Sequence, residues 1–103
     1  MIVDEAAHRK VVIFHPKMMP AKVVADPELT LGLPAGVTAG VGMDALAHNL
    51  EAFCVDCFHP QADGIALEGM RLVHRSLVAA TRDGSDLQAR SEMMAAAMMG
   101  ATA

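Results

Sequence analysis

The sequence predicts a mainly α-helical chain with a short β segment at its N-terminus, and three observations carry that class. Apolar residues repeat at helical spacing from about residue 34 onward, whereas β-branched and aromatic runs are confined to the first part of the chain. Between them lies Asp26 to Pro34, DPELTLGLP, a connector with two prolines and a glycine. The expected organisation is therefore residues 1–33, strands and connector, followed by residues 34–103, helices.

From Met1 to about Ala25 the signals are those of short strands. Ile2-Val3 is the remnant of a first strand, joined through Asp4-Glu5-Ala6-Ala7 to the run Val11 to Phe14. His15-Pro16 to Pro20 reads as a turn, and Val23-Val24 as a second short run ended by Asp26-Pro27. Strands this short and few are marginal alone and need cover.

Pro34 suits an initial helical position, so a helix is expected from there to about Val55. Gly36, Gly40 and Gly42 each weaken it by about 1 kcal/mol relative to Ala, which predicts a short turn and then a separate helix from Met43. The next helix starts at Pro60. Ala66, Met70, Val73, Leu77 and Ala80 repeat along it at 4-3-4-3 spacing, with Arg71, Arg75 and Arg82 on a solvated opposite face. Asp83-Gly84 ends it, with Gly84 expected in a left-handed conformation. Ser85 then opens a last helix with Gln88 three residues on, the S-x-x-Q capping box. There Leu87, Met94, Met98 and Ala101 are expected to line one side, and Asp86 to pair with Arg90. This Ala- and Met-rich helix wants burial on most sides, by a second copy or by a complementing chain.

Without Trp or Tyr and with three Phe, any core must come from Ala, Val, Leu and the nine Met. A net charge of −4 with scattered cations argues against nucleic acid and anionic membranes as partners. No apolar run reaches the roughly 18 residues needed to cross a bilayer. The N-terminal MIVDEAAHRK has acids where a signal peptide needs cations, so a cytoplasmic protein is expected. Cys54 and Cys57 form a lone CxxC, read as two reduced thiols at a helix end.

The chemistry concentrates in Gly42 to Phe53, GMDALAHNLEAF. On a helix, Asp44, His48 and Glu51 fall on one stripe, while Leu46, Leu50 and Phe53 repeat on nearly the opposite side and are expected to pack. An Asp and a His four apart are either a surface ion pair or one wall of a metal site. His8, His15, His59 and His74 show no partner spacing, and a small zinc site from Cys54, Cys57 and His59 would lack a fourth ligand. No phosphate-cradling glycine motif and no serine-nucleophile elbow occur.

Met18-Met19-Pro20, Val24 to Thr30, Gly32-Leu33-Pro34, Thr38-Ala39 and above all Gly42-Met43-Asp44-Ala45-Leu46-Ala47-His48 with Glu51-Ala52 resemble the iron-containing (group III) alcohol dehydrogenases. The likeness continues through Ala62 to Glu68, Asp83 to Arg90 and Ala97 to Ala101, and so covers nearly the whole chain in order. The resemblance implies a two-domain NAD(P)-dependent oxidoreductase, an α/β cofactor domain followed by a helical domain that holds iron(II) or zinc. It maps two of four metal ligands onto Asp44 and His48, and makes Lys10 the candidate lysine beside the cofactor ribose. The two further histidine ligands and the glycine-rich pyrophosphate loop of that family have no counterpart in these 103 residues.

The resemblance thus implies a central fragment of an alcohol dehydrogenase, hydride passing between a small alcohol or aldehyde substrate and nicotinamide. As an isolated chain it is expected to be inactive and to bind neither metal nor NAD(P) tightly. The alternative is a non-catalytic helical interaction module, or a split-gene subunit completed by a partner chain.

Overall fold

The computed structural model describes residues 2–13 and 15–103. Ile2–Asp4 (β1) pairs antiparallel with Arg9–Val11 (β2), Ile2 opposite Val11 and Asp4 opposite Arg9. The reversal is set locally. Asp4 Oδ1 accepts from the Ala7 amide at 3.1 Å, and His8 takes φ 46°, the left-handed conformation of a tight turn.

Pairing stops at Val11, earlier than expected. Among the described residues Val12 and Ile13 pair with no strand, and Phe14, the end of the expected run, lies outside the described residues. Val23 and Val24 form no strand either and stand exposed, with no neighbouring strand among the described residues to offer a ladder. The hairpin packs on none of the described helices. In the connector, Pro27–Thr30 forms a 3-10 helix whose cap is Asp26, its Oδ1 accepting from the Glu28 amide at 3.0 Å.

Three helices follow, each touching the other two: Ala35–Phe53 (α1), Pro60–Arg82 (α2) and Leu87–Thr102 (α3). The break expected at the glycines of α1 does not occur, and the helix is continuous. Tertiary packing overrides propensity here. Gly42 lies so close under Leu77 that a Cβ there would overlap the Leu77 side chain, with Met93 Cε at 3.2 Å. Gly36 and Gly40 face open space instead. Replacing either with Ala should raise stability by about 0.5–1 kcal/mol in chemical denaturation; a loss would mean that the exposed face is in contact with something.

The packed face of α1 also departs from expectation. Thr38, Gly42, Ala45 and Asn49 are buried, whereas Leu50 and Phe53 are exposed and only Leu46 reaches the core. Small residues at 4-3-4 spacing let the helix axes approach closely, and the larger side chains are left on the flank. The core itself is Ala45, Leu72, Val73 and Ala96, with Leu46, Leu77, Met93, Ala95 and Met99 packed against it.

In α2 the expected face is present. Ala66, Val73 and Ala80 are buried, with Met70 and Leu77 half-buried beside them. His59 caps this helix through Nδ1, which accepts from the Ala62 amide at 3.1 Å. Gly84 ends it without a positive φ, so conformational freedom is not its reason. A Cβ there would stand 2.9 Å from an Arg90 guanidinium nitrogen.

The start of α3 corrects two expectations. The cap is Asp86, whose Oδ1 accepts from the Ala89 amide at 2.9 Å. Ser85 is drawn to Asp83 instead, and Gln88 reaches Glu92 rather than a helix-start amide. Arg90 does not pair with Asp86. It turns inward and donates to Gly84 O at 3.0 Å, Thr38 Oγ1 at 2.7 Å and Leu33 O at 3.3 Å. Consequently Ala89, Arg90, Glu92 and Ala96 are the buried residues of α3, while Leu87 and Met98 are exposed.

Nor is Arg75 merely solvated. Both its Nε and a terminal nitrogen donate to the Glu92 carboxylate, which also accepts from Ser76 Oγ and Gln88 Nε2. These donors, Arg75 foremost, pull the Glu92 carboxyl down to about 2 from 4.5. Because the folded value is the lower one, the stabilisation is complete above pH 4.5 and is lost as pH falls from there toward 2. Denaturant midpoints should therefore drop over that window, and Glu92→Gln should flatten most of the drop; an unchanged acid limb in the variant would refute the assignment.

Candidate metal site

The sequence of α1 places Asp44 and His48 one turn apart, and the fold keeps that stripe outside the packed face. Asp44 Oδ2 and His48 Nε2 lie 3.5 Å apart, with 73% and 59% of their side chains exposed. Neither side chain hydrogen-bonds to another described residue. Carboxylate oxygens and imidazole nitrogens bind zinc-like ions at about 2.0–2.2 Å, which makes the edge of a tetrahedral set about 3.4 Å long. The two donors are thus spaced as adjacent ligands of one ion. Without an ion the same spacing is an exposed i, i+4 pair of small stabilising effect.

Among the described residues no third His, Cys, Asp or Glu joins them. Glu51 continues the stripe but is exposed, outside any such group. Cys54, Cys57 and His59 do not gather into a metal group either: both thiols are free and exposed, and His59 Nδ1 is engaged in capping. His15 likewise accepts from a backbone amide, that of Lys17. Lys10 sits in β2 opposite Val3, exposed, on a hairpin that touches no helix, so the fold does not bring it to Asp44 and His48.

The stripe is secured by a residue outside the expected site and outside the expected packing face of α1. Asn49, next to His48, is 0% exposed. Its Nδ2 donates to Ala45 O at 2.8 Å and across to Ala96 O of α3 at 2.9 Å. Its Oδ1 is buried without a partner, against Gly69 of α2. On the other side, a Cβ on Gly100 would come within 2.9 Å of both His48 Cβ and Asn49 Nδ2. All three helices therefore meet at Asn49, and the His48 backbone is fixed from within. The available signals were an Asn on the inner face of an amphipathic helix and glycines inside two neighbouring helices.

Residues 38–103 match the profile described as Fe-containing alcohol dehydrogenase family, C-terminal. The chain is 55% identical over 86 residues to a 4-hydroxybutyrate dehydrogenase of Cupriavidus necator, covering 84% of this chain and 22% of that protein. It is 41% identical over 93 residues to alcohol dehydrogenase 4 of Saccharomyces cerevisiae (90% of this chain, 24% of that protein). With an NAD-dependent methanol dehydrogenase of Bacillus methanolicus it shares 36% over 103 residues (100% of this chain, 27% of that protein). The chain thus spans about a quarter of the length of these relatives. No solved structure matches it.

Proposed function

We propose, since this chain belongs to the Fe-containing alcohol dehydrogenase family, that it is a segment of an NAD(P)-dependent enzyme interconverting alcohols and aldehydes. Residues 1–33 would be the end of a cofactor domain and residues 34–103 the start of a helical metal domain. The observation that carries this reading is the 3.5 Å spacing of Asp44 Oδ2 and His48 Nε2 on the exposed stripe of α1.

Asp44 and His48 would hold iron(II) or zinc, for which a mixed carboxylate and imidazole set is suited. When bound, the metal would polarise the alcohol and favour loss of its hydroxyl proton as hydride leaves for the nicotinamide. The chain's own part is positional. Asp44 brings carboxyl oxygens and His48 an imidazole nitrogen, on a helix whose inner face is locked at Asn49. Lys10 would meet the cofactor ribose. The remaining ligands and the pyrophosphate contacts would come from elsewhere in a complete enzyme, so these 103 residues alone should hold neither iron nor NAD(P) tightly.

The test uses a complete polypeptide containing this segment. Asp44→Ala and His48→Ala should each lower kcat/KM at least about a thousandfold, roughly 4 kcal/mol of barrier, and each should lower the bound metal measured by elemental analysis. Full metal occupancy in the double variant would end the reading. A second reading, a subunit completed by a partner chain that supplies the missing ligands, draws on the uncovered Leu50, Phe53, Val55 and Phe58, the last 96% exposed. It requires that tight metal binding appear only when such a partner is added.

A further inference from the structure

Gly100 lies in the last turn of α3 with helical residues on both sides. Glycine is a poor helix former, and no described glycine takes a positive φ, so neither helix propensity nor turn geometry accounts for it. Its surroundings do. A Cβ on residue 100 would stand 2.9 Å from His48 Cβ, 2.9 Å from Asn49 Nδ2 and 3.0 Å from the Asn49 amide nitrogen. Over Gly42 the obstacle is the free end of the Leu77 side chain, which can rotate away. A Cβ atom and a backbone nitrogen cannot, because they move only with α1 itself. The α3 backbone is thus as close to the base of His48 as a bare α-carbon allows.

This contact falls on a side chain that is otherwise free. His48 has 59% of its side chain exposed, and an exposed residue of a helix ordinarily samples both χ1 rotamers that the helix permits. Backbone pressed against Cβ denies the ring the staggered position on the α3 side. Its Nε2 points instead along the stripe, 3.5 Å from Asp44 Oδ2. One turn before Gly100, Ala96 O accepts from Asn49 Nδ2 at 2.9 Å, so α3 is held against α1 at this height.

We propose that Gly100 is a positioning residue for His48: the bare α3 backbone holds the imidazole in one rotamer, directed at Asp44, before any ion arrives. The use of that direction rests on the metal reading above; the single rotamer rests on the contact alone. A donor already oriented loses less freedom on binding, an advantage of about two- to tenfold in affinity for one side chain.

Two measurements test this. In the metal-free 103-residue chain, three-bond couplings across χ1 should report one rotamer for His48 and averaged rotamers for His74, an exposed residue of α2 that no described glycine approaches. Asp44→Ala should leave the His48 couplings unchanged, since the contact and not the ion pair sets them. In a complete polypeptide containing this segment and loaded with cobalt(II), Gly100→Ala should weaken metal binding about two- to tenfold and shift the visible ligand-field bands. Ala80→Gly is the control. Ala80 is 1% exposed and stands about 16 Å along α2 from Gly69, the residue that faces Asn49. Its replacement should lower the thermal midpoint and leave the cobalt bands in place. Averaged couplings at His48, averaging that sets in with Asp44→Ala, unchanged bands in Gly100→Ala, or bands that move equally in both variants would each overturn the proposal. If Gly100→Ala does not fold, the couplings of the native chain and of Asp44→Ala decide alone. Cobalt binding that survives loss of both Asp44 and His48 would sink the metal reading and leave the rotamer result standing.

Discussion

Replacing Gly69 with Ala should destabilise the three-helix unit by about 2 kcal/mol, although Ala is the better helix former. Gly69 lies on the buried face of α2, where its Cα is pressed against the Asn49 amide. An added Cβ would overlap Asn49 Oδ1 and stand 2.8 Å from Nδ2. Asn49 cannot swing aside, since Nδ2 is committed to Ala45 O and Ala96 O and Gly100 closes the other side. The overlap must therefore be relieved by separating α1 from α2, at the cost of core contacts around Ala45 and Val73. A double-mutant cycle isolates the cause. In an Asn49→Ala background the obstacle is gone, and Gly69→Ala should then stabilise by about 0.5–1 kcal/mol through helix propensity alone. Additive effects of the two substitutions would refute the account.

The elements were legible where a local signal agreed with the tertiary environment. Pro34 and Pro60 marked helix starts, Asp83-Gly84 marked an end, and the 4-3-4-3 repeat of α2 named its buried face. The packing side of α1 does not follow hydrophobicity. In this unit close approach is made by Thr38, Gly42, Ala45 and Asn49, residues with little apolar surface. α3 departs for a related reason: Arg90, expected to pair with Asp86, and Glu92, on no expected packing face, are buried because each finds partners on another helix or on the connector. Such partnerships join residues far apart in the chain, and no local pattern encodes them. The stripe of Asp44 and His48 was legible as a stripe because i, i+4 geometry is local. Its support by Asn49, Gly69 and Gly100 was not, being visible only once three helices are assembled.

Arg90→Met is expected to cost about 3 kcal/mol, the largest single loss among polar positions, and to lower the thermal midpoint by about 15 °C. Arg90 is 3% exposed and has no carboxylate partner among the described residues. It also lies in the first turn of α3, where the helix macrodipole disfavours a cation. On charge alone its removal should help. What opposes this is connectivity: the three bonds run to the α2–α3 turn at Gly84, to α1 at Thr38 and to the connector at Leu33. Charge-assisted hydrogen bonds contribute roughly 1.5–3 kcal/mol each, so three of them outweigh the dipole penalty of about 0.3–1 kcal/mol even after desolvation. Arg90→Lys should recover little, because an ammonium lacks the planar fork that reaches three directions at once. Thr38→Val, which removes one acceptor, should cost about 1 kcal/mol in the native background and nothing in Arg90→Met. An Arg90→Met chain as stable as the native one would show instead that the buried charge is a net burden and that apolar packing holds the start of α3.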